Sequence, residues 1–133
     1  MDLKESYGFT DRNLEQEGVE VQIGEDAFIT VRRSNNDKFK KLLIRLRKPH
    51  EQRIQRGTMD QKVLDGLTRK AVAQEVLIDW RGIKDEGKVI KYSPEAAEAL
   101  MKKYEDFQED VLTAANTRET FRKEIEEENA KNS

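Results

Sequence analysis

The apolar residues between Val63 and Trp80 constrain the fold of this chain more than any other feature of its sequence. They recur at intervals of three and four residues, the spacing that places side chains on one face of an α-helix. This face widens toward its end, where the chain carries Val76, Leu77, Ile78 and Trp80. The pattern predicts a central, buried helix. It is expected to begin at a capping box formed by Thr58 and Gln61 and to end at Gly82.

The composition allows one small domain with a thin core. Of the 133 residues, 35% are hydrophobic and 39% are charged, which is lean in apolar residues for a globular chain. A thin core favours burial of further surface by a partner or by self-association. The 25 bases and 27 acids give a net charge of −2, so the chain has no overall basic excess for nucleic acid. Nucleic acid is therefore an unlikely partner.

The residue types that most enzymes need are scarce. Cysteine is absent and His50 is the only histidine, which leaves almost no material for a metal site or a catalytic triad. The sequence has no glycine-rich phosphate loop, no G-x-S-x-G motif and no H-E-x-x-H motif. It also has no signal peptide and no run of the ~20 apolar residues that span a bilayer. We expect a non-enzymatic protein without catalytic residues, cofactor, metal or membrane association, which acts by contact with another macromolecule.

Residues 19–33 carry the pattern of a β-hairpin. Apolar and polar residues alternate from Val19 to Ile23, a second β-branched run follows Phe28, and residues 24–26 form a short connection between them. A lone hairpin is marginal in water, so this one is expected to lie on a helix or to pair with another chain. The basic pair at its end, Arg32 and Arg33, is expected to be a solvated strand end.

A basic helix is predicted after the hairpin. Turn and capping residues at 34–37 precede an inner apolar stripe of Phe39, Leu42, Leu43 and Leu46. Lysines and arginines cover the other face and continue past Pro49, so residues 38–56 are strongly basic. This face is either solvated or binds nucleic acid or an acidic partner. Solvation is favoured, because no aromatic residues that could stack on bases lie between the charges.

A second helix start follows the predicted central helix. Lys84–Lys91 predicts a loop or a tiny hairpin, and then Ser93 is placed to cap a helix with Pro94 at its first position and Glu95 in its first turn. Further apolar residues at helical spacing continue to Ile125. These elements together predict a mainly α fold, a small bundle of about four to five helices with an N-terminal β-hairpin. Residues 19–125 are expected to form one domain between a flexible arm, 1–18, and a frayed charged tail, 126–133.

The run from Val76 to Met101 resembles the signature of phage tail assembly chaperones from siphophages. In that family an apolar run ends in a tryptophan and a glycine, and a charged loop leads to an aromatic residue and a Ser/Thr-Pro-Glu helix start. The matching residues here are Trp80, Gly82, Tyr92, Ser93, Pro94 and Glu95. Residues 46–60 are similar to the family more loosely, with His50 where an aromatic residue is usual. We expect the signature residues to be structural and leave the partner-binding residues unassigned.

The resemblance implies a mostly helical protein without enzymatic activity. Members of the family bind the tape measure protein, keep it soluble and are absent from the finished virion, so the place of action is the host cytoplasm. They also contact the tail tube protein, often through a longer version made by ribosomal frameshifting. Ala130, Lys131 and Asn132 can be encoded by GCA-AAA-AAC, which contains a slippery sequence.

Two alternatives belong to other functional classes. The first is a small nucleic-acid-binding regulator that uses the basic helix over residues 38–56. The second is a structural protein of the virion, such as a head–tail connector. Binding to DNA that weakens steeply with salt would distinguish the regulator, and presence in purified particles would distinguish the connector.

Overall fold

Helices and short antiparallel strands follow one another in groups along the chain in the computed structural model, which describes residues 1–3, 12–117 and 120–121. The helices are α1 (Arg12–Glu17), α2 (Asp37–Arg47), α3 (Glu51–Gln55), α4 (Gln61–Glu75), α5 (Pro94–Lys103) and α6 (Glu105–Asn116). A single 3₁₀ turn, Lys48–His50, joins α2 to α3 at Pro49. The strands are β1 (Val19–Gln22), β2 (Phe28–Val31), β3 (Leu77–Arg81), β4 (Lys84–Asp85) and β5 (Lys88–Val89). The predicted tail, 126–133, and residues 4–11 of the predicted arm lie outside the described residues.

A three-stranded antiparallel sheet makes this a mixed α/β domain, so the prediction of a mainly α bundle is wrong. The predicted hairpin is present, because β1 pairs with β2 from Val19 opposite Val31 to Gln22 opposite Phe28. β3 then adds to β2 and completes the order β1-β2-β3. A second small sheet pairs β4 with β5.

Strand β3 occupies residues that were predicted to finish the central helix, and that prediction is wrong. Helix α4 ends at Glu75, and the chain turns directly into Leu77–Arg81. Leu77 pairs with Val31 and Asp79 pairs with Thr30, so Ile78 is the extra residue of a β-bulge. The bulge places both Leu77 and Trp80 on the core side of the sheet, and both are buried. Their spacing of three residues therefore imitates the period of a helix.

Side-chain caps fix three of the helix starts. The Asn36 side chain accepts a hydrogen bond from the Phe39 amide at 2.9 Å, and the Ser93 hydroxyl accepts one from the Ala96 amide at 3.0 Å, which confirms both predicted starts. At α4 the cap is Asp60, whose carboxylate accepts from the Lys62 amide at 2.9 Å. The predicted capping box of Thr58 and Gln61 is therefore wrong, since Asp60 directly precedes the helix and its carboxylate takes the capping position.

The core lies between the sheet and helices α4, α5 and α6. Its largest fully buried side chains come from all of these elements and from the segment after α6: Ile29, Val31, Val72, Val76, Leu77, Met101, Val111 and Phe121. Helix α2 contacts α4 from outside this core and buries Leu42. The other face of α2 stays exposed.

Candidate functional site

Trp80 is the first of the family-signature residues along the chain and is packed into the fold. Only 7% of its surface is exposed. Its indole Nε1 donates a hydrogen bond to the Ile90 carbonyl at 2.8 Å, which ties β3 to the segment after β5. The ring meets Tyr92 edge to face at 5.1 Å between centroids, and Phe107 of α6 at 6.4 Å. The tryptophan therefore connects the sheet, the small hairpin and the last helices.

Tyr92 connects the same strand to the start of α5. Its hydroxyl donates to the Leu77 carbonyl at 2.8 Å, and the next residue, Ser93, caps the helix. Burial raises the pKa of Tyr92 to about 12, and the negative charge of Asp79 adds to that rise. Pro94 occupies the first helical position, where its missing amide hydrogen costs nothing, and Glu95 follows it in the first turn.

The raised pKa of Tyr92 predicts a loss of stability at alkaline pH. An unfolded chain ionises its tyrosines near pH 10, whereas folding holds Tyr92 neutral up to about 12. The contribution of neutral Tyr92 to the free energy of unfolding is thus complete below pH 10 and falls as the pH rises toward 12. We expect Tyr92→Phe to cost roughly 1 kcal/mol at neutral pH, because the Leu77 carbonyl loses its donor. The variant should also lose less stability than the wild-type chain between pH 9 and 11.

Urea denaturation at each pH measures this difference. Tyr104 also has a raised pKa, caused mainly by its hydrogen bond to Asp85, so part of the alkaline loss will remain in the variant. If the wild-type chain and Tyr92→Phe lose the same stability over this pH range, the role given to Tyr92 is wrong.

Gly82 allows the end of β3 to approach the turn between β1 and β2. Its φ of +74° lies in the left-handed region that favours glycine. A Cβ atom at this position would lie 1.8 Å from the carbonyl oxygen of Asp26. Trp80, Gly82, Tyr92 and Ser93 therefore have structural roles in the fold, whereas Pro94 and Glu95 lie exposed in the first turn of α5.

A small ionic cluster fixes the β4–β5 hairpin to the end of α5. Lys103 Nζ lies 2.8 Å from a carboxylate oxygen of Asp85, and the Tyr104 hydroxyl donates to the other oxygen. The hydrogen bond from Lys103, followed by that from Tyr104, holds the pKa of Asp85 below its ordinary value. Each carboxylate oxygen of Asp85 thus has a partner at the end of α5, and the cluster joins the hairpin to that helix.

The basic residues of α2 form an exposed surface, which we call the α2 outer face. It comprises Lys38, Lys40, Lys41, Ile44, Arg45, Arg47 and Lys48, all of them exposed. None of its cations forms an ion pair with another residue in the part of the chain that the structure describes. Ile44 is 67% exposed, and Lys40, Lys41, Arg47 and Lys48 lie one helical turn from it on either side. The face therefore combines an apolar centre with a basic rim, as protein-binding surfaces often do.

A groove of opposite character runs between α4 and α6, and we call it the α4–α6 groove. It encloses about 340 Å³ and is lined by Asp65, Thr68, Arg69, Glu105, Gln108, Glu109 and Leu112. Arg69 is held by a hydrogen bond from its Nε to the Gln108 side chain at 3.1 Å. Helix α6 contains four acids and no base, so the α6 side of the groove is acidic.

Arg32 has a role that the sequence did not indicate. Its guanidinium lies 2.9 Å from the Glu75 carboxylate and donates from Nε to the Gln16 carbonyl at 2.7 Å. It therefore ties β2 to α1 and to the end of α4, and the prediction of a solvated strand end is wrong for this residue. Arg32 and Glu75 are far apart in the sequence, so no local signal predicts that they form an ion pair.

Within residues 1–3, 12–117 and 120–121, no group of three or more histidine, aspartate or glutamate side chains is arranged to hold a metal ion. The helices described there are too short or too polar to cross a bilayer.

Comparison with known proteins gives a match to a protein family. The model of a family described as the YdaY prophage protein matches residues 34–132, which include α2 and all of the signature residues. No curated protein and no solved structure matches the chain.

Proposed function

Since the chain belongs to the YdaY prophage protein family, we propose that it acts in phage tail assembly as a chaperone of the tape measure protein. A prophage origin supports this proposal, because tail proteins are encoded within such genomes. The resemblance between residues 76–101 and siphophage tail assembly chaperones supplies the finer assignment.

One observation carries this assignment. The residues that resemble the chaperone signature contact one another: the Trp80 and Tyr92 rings meet edge to face, and both side chains bond to the backbone nearby. In the same region, Gly82 lets the end of β3 lie close to the backbone of Asp26, and the Ser93 hydroxyl caps helix α5. Four of the six signature residues thus have a specific structural role within one region of the fold, which supports reading the run as one motif.

The proposed activity is binding without chemistry. A chaperone of this kind covers apolar segments of the tape measure protein, a long chain prone to form coiled coils, and keeps the complex soluble through its own charged surface. The tail tube protein is the second proposed partner, contacted through an extension made by frameshifting at Lys131 and Asn132. The chain acts in the host cytoplasm and is left out of the mature virion.

Co-expression tests the proposal. We expect the tape measure protein to be recovered several-fold more in the soluble fraction when it is produced with this chain than when it is produced alone. The Trp80→Ala variant serves as the control, because it should lose the fold and with it the protection. Equal insolubility with and without the wild-type chain would contradict the proposal.

The α2 outer face favours one alternative function, the nucleic-acid-binding regulator. Residues 37–56 contain eight bases and two acids, a local net charge of +6 in a chain of net charge −2. Affinity for duplex DNA that falls steeply as salt is raised would support the regulator over the chaperone. The connector is tested separately by mass spectrometry of purified particles, which would contain a connector and lack a chaperone.

A further inference from the structure

Two exposed surfaces of opposite charge lie on this chain, and their charges form no ion pair with any residue in 1–3, 12–117 or 120–121. The α2 outer face contributes cations around Ile44, and the α4–α6 groove contributes the carboxylates of Glu105 and Glu109, which form no ion pair with any described residue. Helix α2 packs on α4 through its inner apolar stripe, so its outer face points away from the groove that α4 borders. The two surfaces of one copy therefore cannot meet each other.

We propose that copies of this chain associate head to tail, with the α2 outer face of one copy bound in the α4–α6 groove of the next. Ile44 is the apolar centre of the contact and faces the half-buried Leu112 in the groove. The four cations around Ile44 pair with Asp65, Glu105 and Glu109. The two surfaces are opposite in charge and complementary in shape, since one is the outside of a helix and the other is a groove. A second copy of the chain is therefore the proposed occupant of the groove.

The shape of the groove suits this contact. Its volume of about 340 Å³ is within the range of sites that enclose a small ligand, so it can accept one aliphatic side chain and the ends of neighbouring lysines. Among the described residues that line it, Arg69 is the one cation, and its Nε is engaged with Gln108. The groove therefore keeps an excess of negative charge that faces the incoming helix.

A contact between two different surfaces has a specific consequence. It leaves one free face and one free groove on every dimer, so association continues until a ring closes or a filament grows. A contact between identical surfaces would stop at the dimer. The size of the assembly thus distinguishes the proposed contact from a symmetric one.

Sedimentation velocity of the full chain at low and high ionic strength tests the proposal. We expect the wild-type chain to form species larger than a dimer as its concentration rises, and to dissociate at high salt because the charged rim is screened. Ile44→Asp should remain monomeric, since it removes the apolar centre and adds a carboxylate that the groove repels. Val89→Asp is the matched control, because Val89 is 74% exposed but lies outside both surfaces, and it should assemble as the wild-type chain does.

A mixture of two monomeric variants gives the sharpest result. Glu105→Lys combined with Glu109→Lys reverses the groove and keeps the α2 outer face, whereas Ile44→Asp alters the face and keeps the groove. Mixed in equal amounts, they should form a dimer and nothing larger, since only one of the two contacts can form. A lysine in place of Glu105 opposes the helix dipole in the first turn of α6. Glu109→Lys alone therefore serves as a second groove variant that avoids this effect.

Three results would overturn the proposal. The first is a wild-type chain that stays monomeric at low salt. This result includes the case in which the monomer binds duplex DNA or an acidic peptide through α2. The second is an Ile44→Asp variant that assembles like the wild-type chain. The third is a mixture of the two variants that forms no dimer although circular dichroism shows both to be folded. None of these measurements uses the tape measure protein, so their outcome is independent of the chaperone proposal.

Discussion

Replacing Gly82 by alanine is expected to destabilise the fold by about 3 kcal/mol or more. A left-handed backbone conformation costs an L-residue on the order of 1–2 kcal/mol. At Gly82 the added Cβ would also lie 1.8 Å from the Asp26 carbonyl oxygen, well inside any tolerated contact. Backbone atoms cannot rotate away as a side chain can, so β3 and the β1–β2 turn have to separate. Loss of this approach removes part of the pairing between β2 and β3.

Gly87 provides the matched control for this prediction. Its φ of +80° is also left-handed, but a Cβ atom there meets nothing within 4 Å. Gly87→Ala should therefore cost only the conformational part, roughly 1 kcal/mol. Urea denaturation followed by circular dichroism measures both variants. Similar losses for Gly82→Ala and Gly87→Ala would show that the backbone approach is not important for stability.

Trp80→Ala is expected to cost about 3–5 kcal/mol, the range for truncating a large buried aromatic side chain. The substitution leaves a cavity between β3 and α6, removes the edge contact with Tyr92 and leaves the Ile90 carbonyl without its indole donor. Since a domain of this size has only about 5–15 kcal/mol of stability, we expect the variant to be largely unfolded near 37 °C.

Trp80→Phe separates packing from hydrogen bonding. Phenylalanine keeps an aromatic ring against Tyr92 but cannot donate to Ile90, so its cost should be smaller, about 1–2 kcal/mol. Circular dichroism is the appropriate probe for both variants, because they remove the only tryptophan of the chain. A loss of less than 1 kcal/mol in Trp80→Ala would contradict the central position given to this residue.

Local features of this fold could be predicted from the sequence because they depend on neighbouring residues. The β1–β2 hairpin follows from alternating apolar residues on both sides of Gly24. The starts of α2 and α5 follow from Asn36 and Ser93, whose side chains accept hydrogen bonds from amides three residues on. In each case the contact that fixes the element lies within a few positions of the signal.

Strand β3 could not be predicted, because its bulge conceals its period. In a regular strand Leu77 and Trp80 would point to opposite faces, so their apolar side chains do not show the alternation by which strands are recognised. With the bulge, both are buried at helical spacing and extend the pattern of α4. The β-branched residues Val76 and Ile78 were the available sign of a strand, but the longer helical pattern outweighed them.

The two candidate surfaces also differ in whether the sequence could predict them. The α2 outer face was visible in the sequence, since one helix carries both its inner stripe and its basic residues. The α4–α6 groove was not, because Asp65 and Glu109 line one groove only in the folded chain and are far apart in the sequence. The pair of Arg32 and Glu75 was hidden for the same reason, as 43 residues separate its members.

The most direct measurement of the chaperone proposal is the isolation of its complex. The wild-type chain and the tape measure protein, produced together and separated by size-exclusion chromatography with light scattering, should elute as one soluble species whose mass exceeds that of either protein alone. Gly87→Ala, which keeps the fold, should form the same complex. A tape measure protein that elutes or aggregates without this chain, while the chain itself remains folded and soluble, would contradict the proposed function.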